Sequence, residues 1–160
     1  MLSAASILGH GLVHAAWPEK TIRIVVPFAA GGGNDLIART IAPKLAALLG
    51  QAVIVDNRPG AAGNIGSAEV ARAVPDGYNL LMATNTIVIN QSLYSSMGFD
   101  VMKDLAPAGL IANVQFILAA HPGVPATNLA GLIALDKKTP GSLNHAAPGA
   151  GTPQDRKSVV

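Results

Sequence analysis

The sequence predicts an α/β fold built on a parallel sheet, and three observations carry that prediction. Ile22-Arg23-Ile24-Val25-Val26 is β-branched and nearly all apolar, as expected of a strand covered on both faces. It is followed by a helical pattern and then by a second apolar run, Ala52-Val53-Ile54-Val55-Asp56, with short links between them. Strand, helix and strand joined this closely form a βαβ unit, which makes the two strands parallel and the crossover right-handed.

Composition supports one sizeable core. The chain has 160 residues, half of them hydrophobic and only 12% charged, which argues against disorder. A net charge of +2, with no concentration of Lys or Arg, and an aromatic content of 4% give no footprint for nucleic acid. With no cysteine, neither disulfides nor thiolate metal sites are available. His10, His14, His121 and His145 show no ligand spacing.

Met1 to Ala16 is small and apolar, without acidic residues, and too short to span a bilayer. Val13-His14-Ala15 has the small-x-small form that precedes signal-peptide cleavage, although no basic residue occurs before Lys20. Residues 1–16 are therefore expected to be a secretory signal peptide clipped at its N-terminus, in preference to a loose N-terminal tail, with the mature chain starting near Ala16 or Trp17.

The first strand ends at Pro27, which cannot donate to a ladder. Phe28-Ala29-Ala30-Gly31-Gly32-Gly33 then forms a loop, with Asn34 or Asp35 as the expected helix cap. Free N–H groups at the positive end of a helix favour an anion, whether carboxylate or phosphate. The helix to Leu49 sets Ile37, Ile41, Leu45 and Leu48 on one stripe. Pro43 should kink it, and Gly50 should end it.

After the second strand, Asn57-Arg58-Pro59-Gly60-Ala61-Ala62-Gly63 repeats the strand-to-loop arrangement, and a helix begins near Asn64 or Gly66 with Ile65, Ala68, Ala71 and Val74. Pro75-Asp76-Gly77 is a turn. Asn79 to Thr84 reads as a third strand ending in Thr84-Asn85-Thr86. Three such strand ends lie on one edge of a parallel sheet, where ligands bind. Ile87 to Ser96 fits a short helix or a loop, and Met97-Gly98-Phe99-Asp100 a turn. Gln115 to Ala120 reads as a buried strand, and Leu129 to Lys138 as a helix with Leu129, Leu132, Ile133 and Leu135 inward. Ser142 to Ala146 reads as a last strand running into Gly149-Ala150-Gly151-Thr152.

The glycine loop lacks a dinucleotide fingerprint, because Leu36 stands where the third glycine belongs. It also lacks the Lys-Ser/Thr of a P-loop. A nucleotide-dependent α/β enzyme using the Gly31–Gly33 loop is retained as the alternative. No nucleophile elbow appears, and Asp35, Asp56, Asp76, Asp100, Asp104 and Asp136 sit where turns or caps account for them. Arg58 reads as a surface partner of Asp56 or, less simply, as a contact to a ligand carboxylate.

Taken together, Pro27-Phe28-Ala29-Ala30-Gly31-Gly32-Gly33-Asn34-Asp35, Val53-Ile54-Val55-Asp56-Asn57-Arg58-Pro59-Gly60-Ala61-Ala62-Gly63 and Asp76-Gly77-Tyr78 resemble the Bug-type extracytoplasmic solute receptors of the tripartite tricarboxylate transporter family. Asp104-Leu105-Ala106-Pro107, His121-Pro122-Gly123-Val124-Pro125 and Pro148-Gly149-Ala150-Gly151-Thr152-Pro153 add to the resemblance, which runs from about Trp17 to Gln154. It implies a type II, periplasmic-binding-protein-like flytrap: a first α/β lobe over residues 17–104, incomplete without its return segment, and the truncated start of a second over 105–154.

The resemblance further implies a monomeric periplasmic receptor, without enzymatic activity, metal or cofactor, that delivers a small carboxylate to membrane transporter subunits of the same tripartite type. Carried over, the ligand residues are Phe28, Ala29, Gly31 and Asn34, then Ala61, Ala62 and Gly63, then Thr84 and Asn85, with Gly149, Gly151 and Thr152 from the second lobe. Family members are about twice this length, so this chain alone is expected to be a binding-incompetent fragment. Asp155 to Val160 is expected to be a non-native tail, since one codon spelling of those six residues occurs in a common sequencing adapter.

Overall fold

The structure is a computed structural model, and it describes residues 17–115, 117–144 and 146. A three-stranded parallel sheet lies at its centre: β1 (Ile22–Val26), β2 (Val53–Asn57) and β3 (Asn79–Leu81), in the order β2-β1-β3. Ile22 pairs with Val53 and Val26 with Asn57, while Arg23 pairs with Asn79 and Val25 with Leu81. The expected parallel pairing of the first two strands is present. The central position of β1 explains its composition: Ile22, Ile24, Val25 and Val26 are all buried. Burying each such side chain is worth roughly 1.5–3 kcal/mol.

β2 departs from the expected buried strand. Among the described residues it is an outer strand, and Ile54 is 49% exposed. β3 stops at Leu81, short of the expected Thr84, because Ala83 N–H turns back to the Leu81 carbonyl at 3.0 Å.

Helix α1 (Gly33–Leu49) packs on this sheet through Ala38 and Ala42. These small side chains meet Ile24, Val26 and Met82, with Ile37, Ile41 and Leu45 packed around them. Leu48, expected on the same stripe, is 83% exposed because the helix has run past the sheet. Pro43 lies inside α1 without ending it, and its exposed face leaves the carbonyl it cannot serve open to water. Gly50 closes the helix in the left-handed conformation (φ 67°), donating its N–H to the Ala46 carbonyl at 3.0 Å.

A single 3-10 turn (Ala61–Gly63) leads into α2 (Asn64–Ala71), and α3 (Thr86–Leu93) resolves the helix-or-loop segment as a helix. α2 ends at Ala71, short of the expected Val74, and only Ala68 of the four expected apolar positions is buried; Ile65 and Val74 are 57% and 70% exposed. A short α4 (Val101–Asp104) is capped by Asp100, whose carboxylate accepts from the N–H groups of Met102 and Lys103.

The expected strand at Gln115–Ala120 does not form among the described residues. Ile117 and Leu118 are 88% and 68% exposed, and no described segment pairs with them. A strand exists only through its ladder partners, so apolar composition alone cannot make one. Ser142–Asn144 and Ala146 are likewise not in a strand; His145, within the expected strand, lies outside the described residues. α5 (Leu129–Lys138) forms where expected, with Asn128 accepting from Gly131 N–H, but it buries no residue and Leu129 is 60% exposed.

The N-terminal end of the described chain is held against the turn before β3. Trp17 Nε1–H donates to the Asp76 carbonyl at 3.0 Å, and Tyr78 Oη accepts from Glu19 N–H at 2.7 Å. Lys20 Nζ lies 3.1 Å from Asp76 and 4.3 Å from the centre of the Tyr78 ring. The Trp17 ring lies over Gly77, where a Cβ would sit 3.2 Å from it. The expected signal peptide (1–16) and non-native tail (155–160) lie outside the described residues.

Candidate functional site

The C-terminal ends of the three parallel strands meet at a shallow cleft. Pro27 and Phe28 follow β1; Ala62, Gly63, Asn64 and Ser67 form the turn after β2 and the start of α2; Ala83, Thr84, Thr86 and Ile87 follow β3. The cleft holds about 200 Å³ of space, open to solvent. It is a shallow, open cleft rather than an enclosed pocket. Among the described residues, no charged side chain lines it.

Four expected ligand residues, Phe28, Ala62, Gly63 and Thr84, are brought together here. Ala29, Gly31, Ala61 and Asn85 lie on the same loops and Asn34 in the first turn of α1, but none of them lines the cleft. Gly149, Gly151 and Thr152 lie outside the described residues. Asn64 and Ser67 carry no ligand assignment in the sequence, whereas Thr86 is visible there as part of the polar end of the third strand. Asn64 was legible only as a helix start, and nothing local marks Ser67, whose Oγ–H donates to the Gly63 carbonyl at 2.8 Å.

The glycine loop differs from expectation in one important respect. Gly32, not Asn34 or Asp35, is the N-cap of α1. Asp35 instead sits in the first turn, 4% exposed, and its carboxylate accepts from Gly31 N–H at 2.8 Å. Arg39 Nε–H donates to both its oxygens at 2.9 and 3.0 Å, and Asn57 Nδ2–H donates to one at 3.0 Å. Arg39 also donates to Asn57 Oδ1, and Asn57 donates to the Phe28 carbonyl at 3.2 Å. The positive end of α1 thus already holds an anion, the protein's own. The bonds from Arg39, Gly31 and Asn57 pull the Asp35 carboxyl down to about 2 from 3.8.

The other arginines near the strands are also engaged. Arg23 pairs with Asp56 and with Glu69 (2.6 Å). Arg58 lies 3.2 Å from Asp56 and 3.6 Å from Glu69, as the local-pair reading expects. Arg23 is the main reason that the Asp56 carboxyl titrates below its usual range.

The turn after β2 is strained. Gly60, Ala61, Ala62 and Gly63 have φ of 132°, 47°, 52° and 91° in succession. A left-handed alanine costs about 1 kcal/mol or more, and such outliers persist only where surrounding contacts impose them. Gly63 N–H closes the turn onto the Gly60 carbonyl at 2.9 Å. From behind, Asn90 on α3 donates to the Ala62 carbonyl at 3.0 Å and to Asn64 Oδ1 at 2.8 Å.

Comparison with known proteins identifies relatives of the chain and of its fold. Residues 37–157 match the model of the tripartite tricarboxylate transporter family receptor. BugT of Bordetella pertussis is 36% identical over 138 residues, which cover 85% of this chain and 42% of BugT. A solved structure of a periplasmic transporter superposes with a TM-score of 0.78 at 39% identity, covering 84% of this chain and 45% of that one. The R. palustris protein Rpa4515, solved with adipate, gives 0.75 at 37%, covering 80% and 43%. The chain spans less than half the length of the curated relatives it matches. The α/β fold with its parallel sheet is the one found in periplasmic binding proteins, and the nucleotide-dependent enzyme reading gains no support from these relatives.

Proposed function

This chain belongs to the tripartite tricarboxylate transporter family of receptors, and from that membership we propose that it forms one wall of a periplasmic site capturing a small carboxylate for membrane transporter subunits of the tripartite type. One observation carries the reading. Three parallel strands deliver neutral polar residues to a single cleft: Thr84 and Thr86 after β3, and Asn64 with the backbone at Ala62 after β2, while the Ser67 hydroxyl and the Gly63 N–H are already given to the Gly63 and Gly60 carbonyls. Neutral donors can hold a carboxylate without the desolvation that a buried cation would require.

The flytrap reading places residues 17–104 in this wall and assigns 105–154, with Gly149, Gly151 and Thr152, to the start of the opposing lobe. Phe28, Ala62, Gly63 and Thr84 are the ligand residues of the first wall. Ala29, Gly31, Asn34, Ala61 and Asn85 shape its rim. The residues serve binding, not chemistry: the family's members are receptors.

Adipate, the ligand in the R. palustris relative, is the first test compound. Calorimetry should show a full-length relative binding a small carboxylate. This chain, with one open wall, should give no heat at concentrations that saturate that relative, an affinity at least about tenfold weaker. Equal binding by this chain would remove the need for an opposing wall. A full-length relative that ignores every acid but is stabilised by a dinucleotide would overturn the carboxylate reading.

A further inference from the structure

We propose that Asn90 is a positioning residue: from beneath the cleft it holds the left-handed turn Gly60–Gly63 in its ligand-facing shape. The proposal rests on the reading of this cleft as the ligand face.

Asn90 is completely buried, so it acts through its neighbours and not on a ligand directly. Its amide donates to the carbonyl of Ala62, one of the two left-handed alanines, and to the side chain of Asn64, which follows the turn. A backbone carbonyl can only accept, so the NH2 end of the Asn90 amide must face Ala62. Asn90 belongs to α3, whose first turn supplies Thr86 and Ile87 to the same cleft. One side chain therefore ties the wall after β2 to the wall after β3.

The third atom of that amide identifies what Asn90 is for. Asn90 Oδ1 is buried and has no hydrogen-bond partner among the described residues. An orphaned acceptor costs stability, and an apolar side chain of the same size would fill the space without that cost. A residue that stabilises poorly where it stands, yet holds a strained turn at a binding face, fits the control of local shape.

The test compares the 160-residue chain with Asn90→Leu, which keeps the branched shape and the number of side-chain heavy atoms and removes both donors. Amide hydrogen exchange is followed by NMR at Gly63, Asn64 and Ile65, whose N–H groups bond to Gly60 and Ala61 carbonyls. Ile24, Val25 and Val26 in β1 serve as the reference. Asn90→Leu should speed exchange in the turn by about tenfold, the scale of one lost hydrogen bond, while β1 exchange stays unchanged. Millimolar adipate should shift the turn amides of the unsubstituted chain more than equal sodium chloride does, and this response should vanish in Asn90→Leu.

Unchanged exchange in the turn overturns the proposal. So does faster exchange everywhere, which would make Asn90 a general core residue, or a loosened turn that still answers adipate. If Asn90→Leu fails to fold, Asn90→Ala, which cannot overpack, is measured in the same way. An unsubstituted chain whose turn ignores adipate shows that this wall does not bind alone, leaving calorimetry on the full-length relative to decide the ligand reading, while the exchange comparison, which needs no ligand, still decides whether Asn90 sets the turn.

Discussion

Gly66→Ala should destabilise the fold by about 1–3 kcal/mol and lower its melting temperature by roughly 5 °C or more. The glycine allows α2 to lie directly against the ends of two strands. A Cβ at this position would stand 2.7 Å from the Arg58 carbonyl oxygen, 3.1 Å from Arg58 Cβ and 3.1 Å from Pro27 Cα. Two of those three atoms are backbone and cannot rotate aside, so α2 must lift from both strands. Its first turn carries Asn64 and Ser67, so the cleft would widen at the same time. Gly33→Ala is the control: its Cβ would meet nothing within 4 Å, and alanine favours the helix by up to about 1 kcal/mol. Thermal melts followed by far-ultraviolet circular dichroism distinguish the two. Equal melting temperatures for Gly66→Ala and the unsubstituted chain would mean that α2 is not packed against these strands as described.

Asp35→Asn should lower the melting temperature at pH 7 by roughly 5–10 °C, and that deficit should close as the pH falls to about 2. The folded carboxyl titrates near 2 against an ordinary 3.8 because Arg39, Gly31 N–H and Asn57 all donate to its charged form. The unfolded chain therefore binds the proton first as the solution is acidified. A depressed carboxyl contributes stability above its unfolded value and loses it as pH falls through its folded value, which places the window between 3.8 and about 2.

Asp56, Asp76 and Asp100 are depressed as well, by Arg23, by the Tyr78 N–H with Lys20, and by Lys103 with the Met102 N–H. The unsubstituted chain thus keeps an acid slope from several groups, and Asp35→Asn should remove one proton from it. Denaturant midpoints measured from pH 7 down to pH 2 read this directly. Two parallel curves would mean that the Asp35 ring contributes nothing to folding.

The parts of the fold visible in the sequence are those set by neighbours in the chain. Ile22–Val26 is apolar throughout because a central parallel strand is covered on both faces, and the same run marks it in the sequence. Gly50 marks its own helix end through a conformation few other residues accept. Strand order is different. Val53–Asn57 looks as buried as β1, and only the pairing of β3 on the other side of β1 makes it an outer strand. Apolar residues at 117 and 118 were read as a strand by composition, but a ladder partner is not written in a local pattern.

The site divides in the same way. Loops at strand ends were legible, and they do converge. The ring that fixes the first loop joins Asp35 to Asn57 across 22 positions, a contact created by strand register. Ala61 and Ala62 carry no mark of the left-handed region, because alanine is the residue least suggestive of it. Asn90 lay in a segment that fitted helix or loop equally well, so its depth beneath the cleft had no sequence signal.

The docking of Trp17 gives the molecule an optical reporter of its own. Trp17 is the only tryptophan, it is half-exposed, and its ring centre lies 5.8 Å from that of Tyr78. At this separation light absorbed by the tyrosine is emitted by the indole. The ratio of tyrosine to tryptophan fluorescence therefore monitors one event, the seating of the residues before β1 on the turn before β3, and does so without any label.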